Sequence, residues 1–157
     1  KRYCEGFSSK GGSRSLYMFG NTGTGKTFFS ACIARAVMEK GMSVTFGSAF
    51  DLFMKLEDEH FGRSEGRTMQ TMIESDLLII DDLGTEFKKP FNESQLFNII
   101  NSRINLSRPT VISSNLSSDE LTKRYDTRIS SRILGIYVPV RFTGEDLRMK
   151  LNKLGNS

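Results

Sequence analysis

Eight consecutive residues, Gly20-Asn21-Thr22-Gly23-Thr24-Gly25-Lys26-Thr27, match the spacing G-x-x-x-x-G-K-[ST] without a gap. Glycines at that spacing let successive backbone N–H groups turn inward around phosphate oxygens. The positive end of a following helix adds to the attraction. The Lys26 ammonium would reach the β and γ phosphates of a nucleotide such as ATP, and the Thr27 hydroxyl would ligate Mg2+. The context fits, with a strand over Leu16–Phe19 directly before the loop and a helix directly after it.

A second acidic site lies at Leu77-Leu-Ile-Ile-Asp81-Asp82, a buried strand ending in two carboxylates. One carboxylate can hold magnesium through its waters, while its neighbour orients or deprotonates an attacking water. Asp81 is assigned to the metal and Asp82 to the water; the plainer reading is that both cap the turn at Leu83-Gly84. Aspartate is a methylene shorter than the glutamate usual at that second position in hydrolysing proteins, so slow turnover is expected.

Thr110-Val-Ile-Ser-Ser-Asn115 is a further strand, with a polar amide at its end. Placed beside the phosphate-loop strand, Asn115 would reach the γ-phosphate and the attacking water; the alternative is an ordinary turn asparagine. Arg128 and Arg132 stand four apart, on one helix face. An arginine presented by a neighbouring subunit can speed phosphoryl transfer on the order of a thousandfold. Spacing alone leaves a pair of solvated arginines equally open.

A GTPase is rejected on specific residues, and a small-molecule kinase is harder to exclude. Asp81-x-x-Gly84 imitates a GTPase element, but Asn152-Lys153 is followed by Leu154-Gly155 and not by the aspartate a guanine reader needs. No arginine-bearing lid of the small-molecule kinase kind is evident. Cys4 and Cys32 make neither a disulfide framework nor a metal site. Cys32 is expected inside a buried helix as a small apolar residue, in keeping with a reducing cytoplasm. His60 is expected on a helix surface.

The elements that must position these residues are short apolar runs alternating with helical segments. Strands are expected at Leu16–Phe19, Val44–Phe46, Leu77–Ile80, Val111–Ser113 and Tyr137–Val140, each apolar on both faces as a strand between two helical layers should be. Helices are expected at Lys26–Lys40, Ala49–His60, Thr68–Ser75, Asn92–Leu106 and Ser118–Leu134. Pro90 with Asn92, and Ser117–Ser118, read as helix starts; Gly41 and Gly135 read as C-terminal caps. The alternation predicts one three-layer α/β domain with a parallel sheet spanning residues 1–157.

At 157 residues, with 38% hydrophobic and 25% charged residues, the chain has the composition of a globular domain. No apolar stretch approaches the roughly 20 residues of a membrane helix, no signal peptide opens it, and a cytoplasmic protein is expected. It begins at Lys1, which reads as a fragment of something longer. Residues 1–100 carry 12 Lys/Arg against 13 Asp/Glu, and residues 101–157 carry 10 against 5. A basic C-terminal third invites nucleic acid.

Taken together, these motifs resemble the AAA+ ATPase domain of bacterial replicative helicase loaders of the DnaC/DnaI type, close to IstB-type transposition helper ATPases. The resemblance runs from about Tyr3 to about Lys150, through Ser15–Gly20 into the phosphate loop, Leu78–Gly84, Arg108–Asn115 and Arg128–Ile133. It implies a five-stranded parallel sheet in the order 5-1-4-3-2, Asn115 as the sensor asparagine and Arg128 as the arginine finger, with Arg132 as the second arginine of that box. Asp-Asp at the acidic site resembles the DnaI branch. More loosely, Arg148 corresponds to a second sensor. It further implies self-assembly into a ring or spiral, binding of single-stranded DNA and delivery of a replicative DNA helicase to it. The helicase-contacting N-terminal region of loaders is missing here, and their lid is reduced to Glu145–Leu154 or absent. A transposition helper, or a nucleotide-gated binding module with little hydrolysis, would share these residues.

Overall fold

The computed structural model describes residues 2–8, 12–144 and 146. Strands β1 (Leu16–Gly20), β2 (Val44–Ser48), β3 (Leu77–Leu83), β4 (Thr110–Ser114) and β5 (Val138–Phe142) form one sheet in the order β2-β3-β4-β1-β5. Every neighbouring pair is parallel. This is the expected order 5-1-4-3-2, read from the other edge.

The central strands are apolar on both faces because each face has its own core. Tyr17, Leu78, Ile80 and Ile112 enter one cluster with α3 (Ala49–His60), α5 (Pro90–Asn105) and α7 (Thr127–Ile136). Leu16, Met18, Leu77, Ile79 and Val111 enter the other with α1 (Arg2–Glu5) and α2 (Lys26–Met38). Successive strand residues point to opposite faces, so a strand covered on both sides loses its polar alternation. The edge strands do not obey that expectation: β2 and β5 have no fully buried residue, and Phe46 is 44% exposed. Pro139 on β5 fits such an edge.

Helix boundaries follow capping chemistry and correct several expectations. The segment 118–134 is two helices, α6 (Ser118–Arg124) and α7, because Asp126 caps a new start by accepting the Ile129 N–H at 2.9 Å. Ser117 begins α6 with a capping box closed by Glu120. At α5, Pro90 stands at the first helical position, and Asn92 is no cap: its amide donates to Phe87 O at 2.9 Å. Gly135 lies within α7 and does not end it. Cys32 is exposed on α2, not buried. His60 is exposed at the end of α3, as expected, with its ring against Phe61 and Phe91. Among the described residues no helix is long and apolar enough to cross a membrane.

One basic residue of the C-terminal third is a buried staple. Arg103 is 0% exposed, and its guanidinium donates to Met72 O, Ile73 O, Ser75 O, Pro109 O and Thr110 Oγ1 at 2.6–3.0 Å. It thereby ties α5 to the end of α4 (Thr68–Glu74) and to the start of β4. Burial pulls its pKa down to about 10, so it remains a cation at neutral pH. Substituting Arg103→Met strands buried carbonyls without donors, each costing roughly 1–3 kcal/mol. The expected loss is about 3–5 kcal/mol, seen as a fall in Tm on the order of 10 °C. A melting curve within 2–3 °C of the parent would show the staple to be idle.

Candidate nucleotide site

The sheet order sets β4 between β3 and β1, so the C-terminal ends of these strands meet. The phosphate loop leaves β1, the two aspartates close β3, and Asn115 follows β4. Local geometry at the loop demands glycine. Gly20 has φ 140°, and a Cβ there would lie 2.0 Å from the Phe142 carbonyl oxygen on β5. Gly23 has φ 75°, and a Cβ would overlap the Asp146 carboxyl group at 2.1 Å. Thr24 braces the loop by donating from Oγ1 to Asn21 O at 2.8 Å; Asn21 and Thr22 are exposed, and Gly25 precedes α2 with φ 91°.

Lys26, the first residue of α2, is 5% exposed. Its Nζ donates to Gly20 O, Asn21 O and Asn115 Oδ1, each at 2.7 Å. Burial lowers its pKa, opposed by the charges of Asp82 and Asp81. The Thr27 hydroxyl donates to Asp81 Oδ2 at 2.8 Å. Lys26, Thr27, Asp81 and Asn115 are thus one connected group, with Asp82 close enough to act on Lys26 through its charge. The turn after Asp81 is not capped by that carboxylate: Gly84 N–H goes to Glu86 Oε2 and Thr85 N–H to Asp82 O.

Serines that sequence reading took as mere strand ends complete the group. Ser113 Oγ donates to Asp81 Oδ1 in a very short hydrogen bond and accepts the Asp82 N–H at 2.9 Å. Ser114 Oγ donates to Leu83 O at 2.6 Å. Both serines are fully buried, and two consecutive hydroxyls closing a fully buried strand were the available signal. Tyr17 of β1 donates its hydroxyl to Leu116 O at 2.8 Å, steadying the backbone beside Asn115. Burial pushes its pKa up to about 12, so it stays a donor.

The arginine pair sits apart from this group, on α7. Arg128 and Arg132 both lie over the Phe97 ring of α5, at 4.9 and 4.7 Å. Arg132 is engaged further with Asn101 Oδ1 and Arg128 O. The Arg128 side chain is 70% exposed and paired with Asp126 at 2.9 Å. Beside the loop, a cleft of about 430 Å3 is lined by residues including Asn21, Asn115, Glu120 and Arg141. Arg148 and the lid expected over Glu145–Leu154 lie outside the described residues, save Asp146.

A family model described as IstB-like ATP binding protein matches residues 11–150. The chain belongs to the IstB-like ATP-binding family. It is 27% identical over 154 residues to the replicative helicase loader DnaC of Escherichia coli strain K12, covering 96% of this chain and 62% of that protein. It is 25% identical over 159 residues to the replicative helicase loader DnaI of Bacillus subtilis strain 168, covering 93% and 51%. The putative ATP-binding protein of insertion sequence IS1162 from Pseudomonas fluorescens is 32% identical over 104 residues, covering 66% and 45%. The chain therefore spans less than two thirds of each of these relatives. The crystal structure of the DnaC helicase loader superposes with a TM-score of 0.80 at 24% identity, covering 90% of this chain and 85% of that one. AMPPCP-bound DnaA from Aquifex aeolicus gives 0.76 at 22%, covering 90% and 44%. The fold is that of these AAA+ P-loop proteins.

The site tests its own wiring through Ser113. Ser113→Ala leaves the half-buried Asp82 N–H without its partner and Asp81 held by Thr27 alone of its two hydroxyl donors, at roughly 1–3 kcal/mol. Titration of a fluorescent ATP analogue should show affinity with Mg2+ falling about tenfold or more, and affinity without Mg2+ much less. Lys26→Ala should abolish binding in both conditions. Equal losses with and without Mg2+ for Ser113→Ala would separate it from the Asp81 function.

Proposed function

We propose that the protein is an ATPase that loads a replicative DNA helicase onto single-stranded DNA. The carrying observation is the joined group of Lys26, Thr27, Asp81 and Asn115, set in a family whose replicative-loader relatives align with nearly all of this chain. The Thr27 hydroxyl and Asp81 carboxylate are hard oxygen donors in contact and suit Mg2+, which when bound would neutralise charge on the β and γ phosphates. Loop amides and the Lys26 ammonium hold the phosphates. Asn115, whose Oδ1 faces Lys26, has its amide N–H groups left to donate toward the γ-phosphate or the attacking water. Asp82 orients that water and takes its proton as the water attacks the γ-phosphorus and ADP leaves. Arg128 completes the site of a neighbouring protomer in an assembled ring or spiral; its exposure supports this over Arg132.

The basic C-terminal third is weaker support for DNA binding than its count suggests. Arg103 is a buried staple, Arg124 pairs with Glu86, and Arg108 lies within 4.0 Å of Asp76. A better surface is the exposed pair Phe50 and Phe87, edge to face at 5.5 Å, with exposed Lys88 adjacent and Lys89 over the Phe87 ring while its ammonium pairs with Glu57 at 2.8 Å. It stands near the C-terminal ends of β2 and β3, the end of the sheet that carries the phosphate loop. Aromatic faces among lysines are what single strands use, by base stacking and phosphate contact. A second reading keeps the same ATP chemistry with a transposase as client and duplex DNA as track; the IS1162 relative favours it. The aspartate at position 82 favours a third, a nucleotide-gated module that scarcely hydrolyses.

The client is tested by mixing the full-length protein with its organism's replicative helicase and weighing the complex by native mass spectrometry, with and without ATP. A defined helicase complex is expected. Its absence, from a protein that still binds ATP and DNA, would move the assignment to the transposition helper.

The finger is tested by mixing variants. Arg128→Ala should bind ATP normally yet lose at least tenfold in assembled turnover, and adding Lys26→Ala protein should restore part of it. Normal hydrolysis by Arg128→Ala under assembling conditions would pass the role to Arg132. Unchanged turnover in Asp82→Asn would favour the gated module.

A further inference from the structure

The Asp82 turn is held by side chains of β4 and of the loop that follows the turn, and one of the loop's side chains connects it to a distant helix. Asp82 has φ 53°, in the left-handed region that non-glycine residues seldom adopt. Ser113 accepts its N–H, Thr85 donates to its carbonyl through N–H and hydroxyl, and Ser114 holds the Leu83 carbonyl. The Gly84 N–H donates to Glu86 Oε2 at 2.9 Å.

Glu86 is 6% exposed, though it lies in the loop between β3 and α5. A buried carboxylate is costly unless paired and hydrogen-bonded, and this one is both. Its Oε1 accepts from Arg124 Nη2 at 3.1 Å and, in a very short hydrogen bond, from the Tyr125 hydroxyl. Its backbone carbonyl accepts from the same Arg124 nitrogen at 2.9 Å. Burial and the adjacent Glu86 charge push the Tyr125 phenol up, so it remains a donor. Arg124 ends α6, Tyr125 joins it to α7, and Asp126 caps α7 while gripping the Arg128 guanidinium. The side chain that fixes the turn after Asp82 therefore also fixes the hinge from which Arg128 projects.

We propose that Glu86 is a positioning residue that ties a protomer's Asp82 turn to its own Arg128, coupling the site the protomer owns to the site it completes next door. The proposal rests on Arg128 acting across subunits. A change at the turn when the γ-phosphate departs shifts the Gly84 N–H. The shift passes through the Glu86 carboxylate to Arg124 and Tyr125, and re-aims the first turn of α7.

The test uses two full-length parents that complement when mixed. Lys26→Ala lacks a nucleotide site but supplies Arg128; Arg128→Ala keeps its site but needs a neighbour's arginine. Glu86→Gln is added to one parent at a time. It retains an acceptor for the Gly84 N–H and removes the charge that pairs with Arg124. Mixed turnover should lose fivefold or more in kcat with the change in either parent, while KM for ATP stays within twofold.

Loss only when Glu86→Gln is in the Arg128→Ala parent would confine Glu86 to its own turn and overturn the coupling. No loss in either parent would overturn it as well. If the unmodified parents fail to restore turnover on mixing, the finger assignment falls first and takes the coupling with it. Tyr125→Phe, which deletes one donor to Glu86, runs the same pair of mixtures should thermal melting show that Glu86→Gln does not fold, and the same outcomes decide.

Discussion

The candidate site depends on one buried carboxylate. Asp81 is 6% exposed, and the partners found for its carboxylate are hydroxyls: Thr27 on one oxygen and Ser113 on the other. Those hydroxyls belong to the helix after β1 and to β4, while Asp81 belongs to β3. A single side chain therefore sets the relative height of adjacent strand ends. A carboxylate at that depth is tolerable because it is hydrogen-bonded on both oxygens. The same contacts keep it beside Lys26, whose ammonium joins the phosphate loop to Asn115. Remove the carboxylate, and the loop, the Asn115 amide and the acidic turn lose their common reference.

That dependence explains which parts of the molecule could be read from the chain. Gly20–Thr27 is legible because its whole function is local: eight consecutive residues make the loop. The central strands are legible because burial on both faces leaves continuous apolar runs. Ser113 was visible only as the end of a strand, because its role comes from its hydroxyl meeting Asp81 where the β3–β4 ladder shifts register between Ile80 and Leu83. Glu86 carried no signal at all. A glutamate in a loop reads as solvated, and its burial is created by Arg124 and Tyr125, nearly forty residues later. The placement of Asn115 beside Lys26 needed the sheet order, which run lengths do not encode and the family resemblance did.

The boundary errors have the same character. A single helix over 118–134 satisfies the apolar spacing, but Asp126 offers its carboxylate to the Ile129 N–H and starts a new helix instead. Gly135 looked like a stop, yet the chain carries the helix one residue past it, with Tyr137 N–H returning to Ile133 O. Cys32 looked buried by composition and faces solvent by phase. Charge counts misled in a related way: Arg103 and Arg124 add to a basic total while serving carbonyls and carboxylates inside the fold, and Arg108 stands half-buried 4.0 Å from Asp76. A surplus of cations becomes an argument for nucleic acid only after those committed to packing are set aside.

The strain in the site is concentrated at Asp82. Among the described residues, Asp82 and Ser107 are the non-glycine positions with positive φ, a conformation that costs a non-glycine residue of order 1 kcal/mol or more. Ser107 closes an exposed turn after α5, where such a residue is ordinary. Asp82 adopts it at the end of a buried strand, held by Ser113, Ser114, Thr85 and Glu86. Several independent bonds converge on one turn, so its geometry is over-determined and the strain persists. A left-handed backbone also changes the direction in which Cβ leaves the chain. An aspartate so turned need not follow the path an extended strand would give it. Within the proposed ATPase, the shorter side chain and the unusual backbone belong together, and the backbone is fixed both by the following loop, through Thr85 and Glu86, and by Ser113 and Ser114, some thirty residues on.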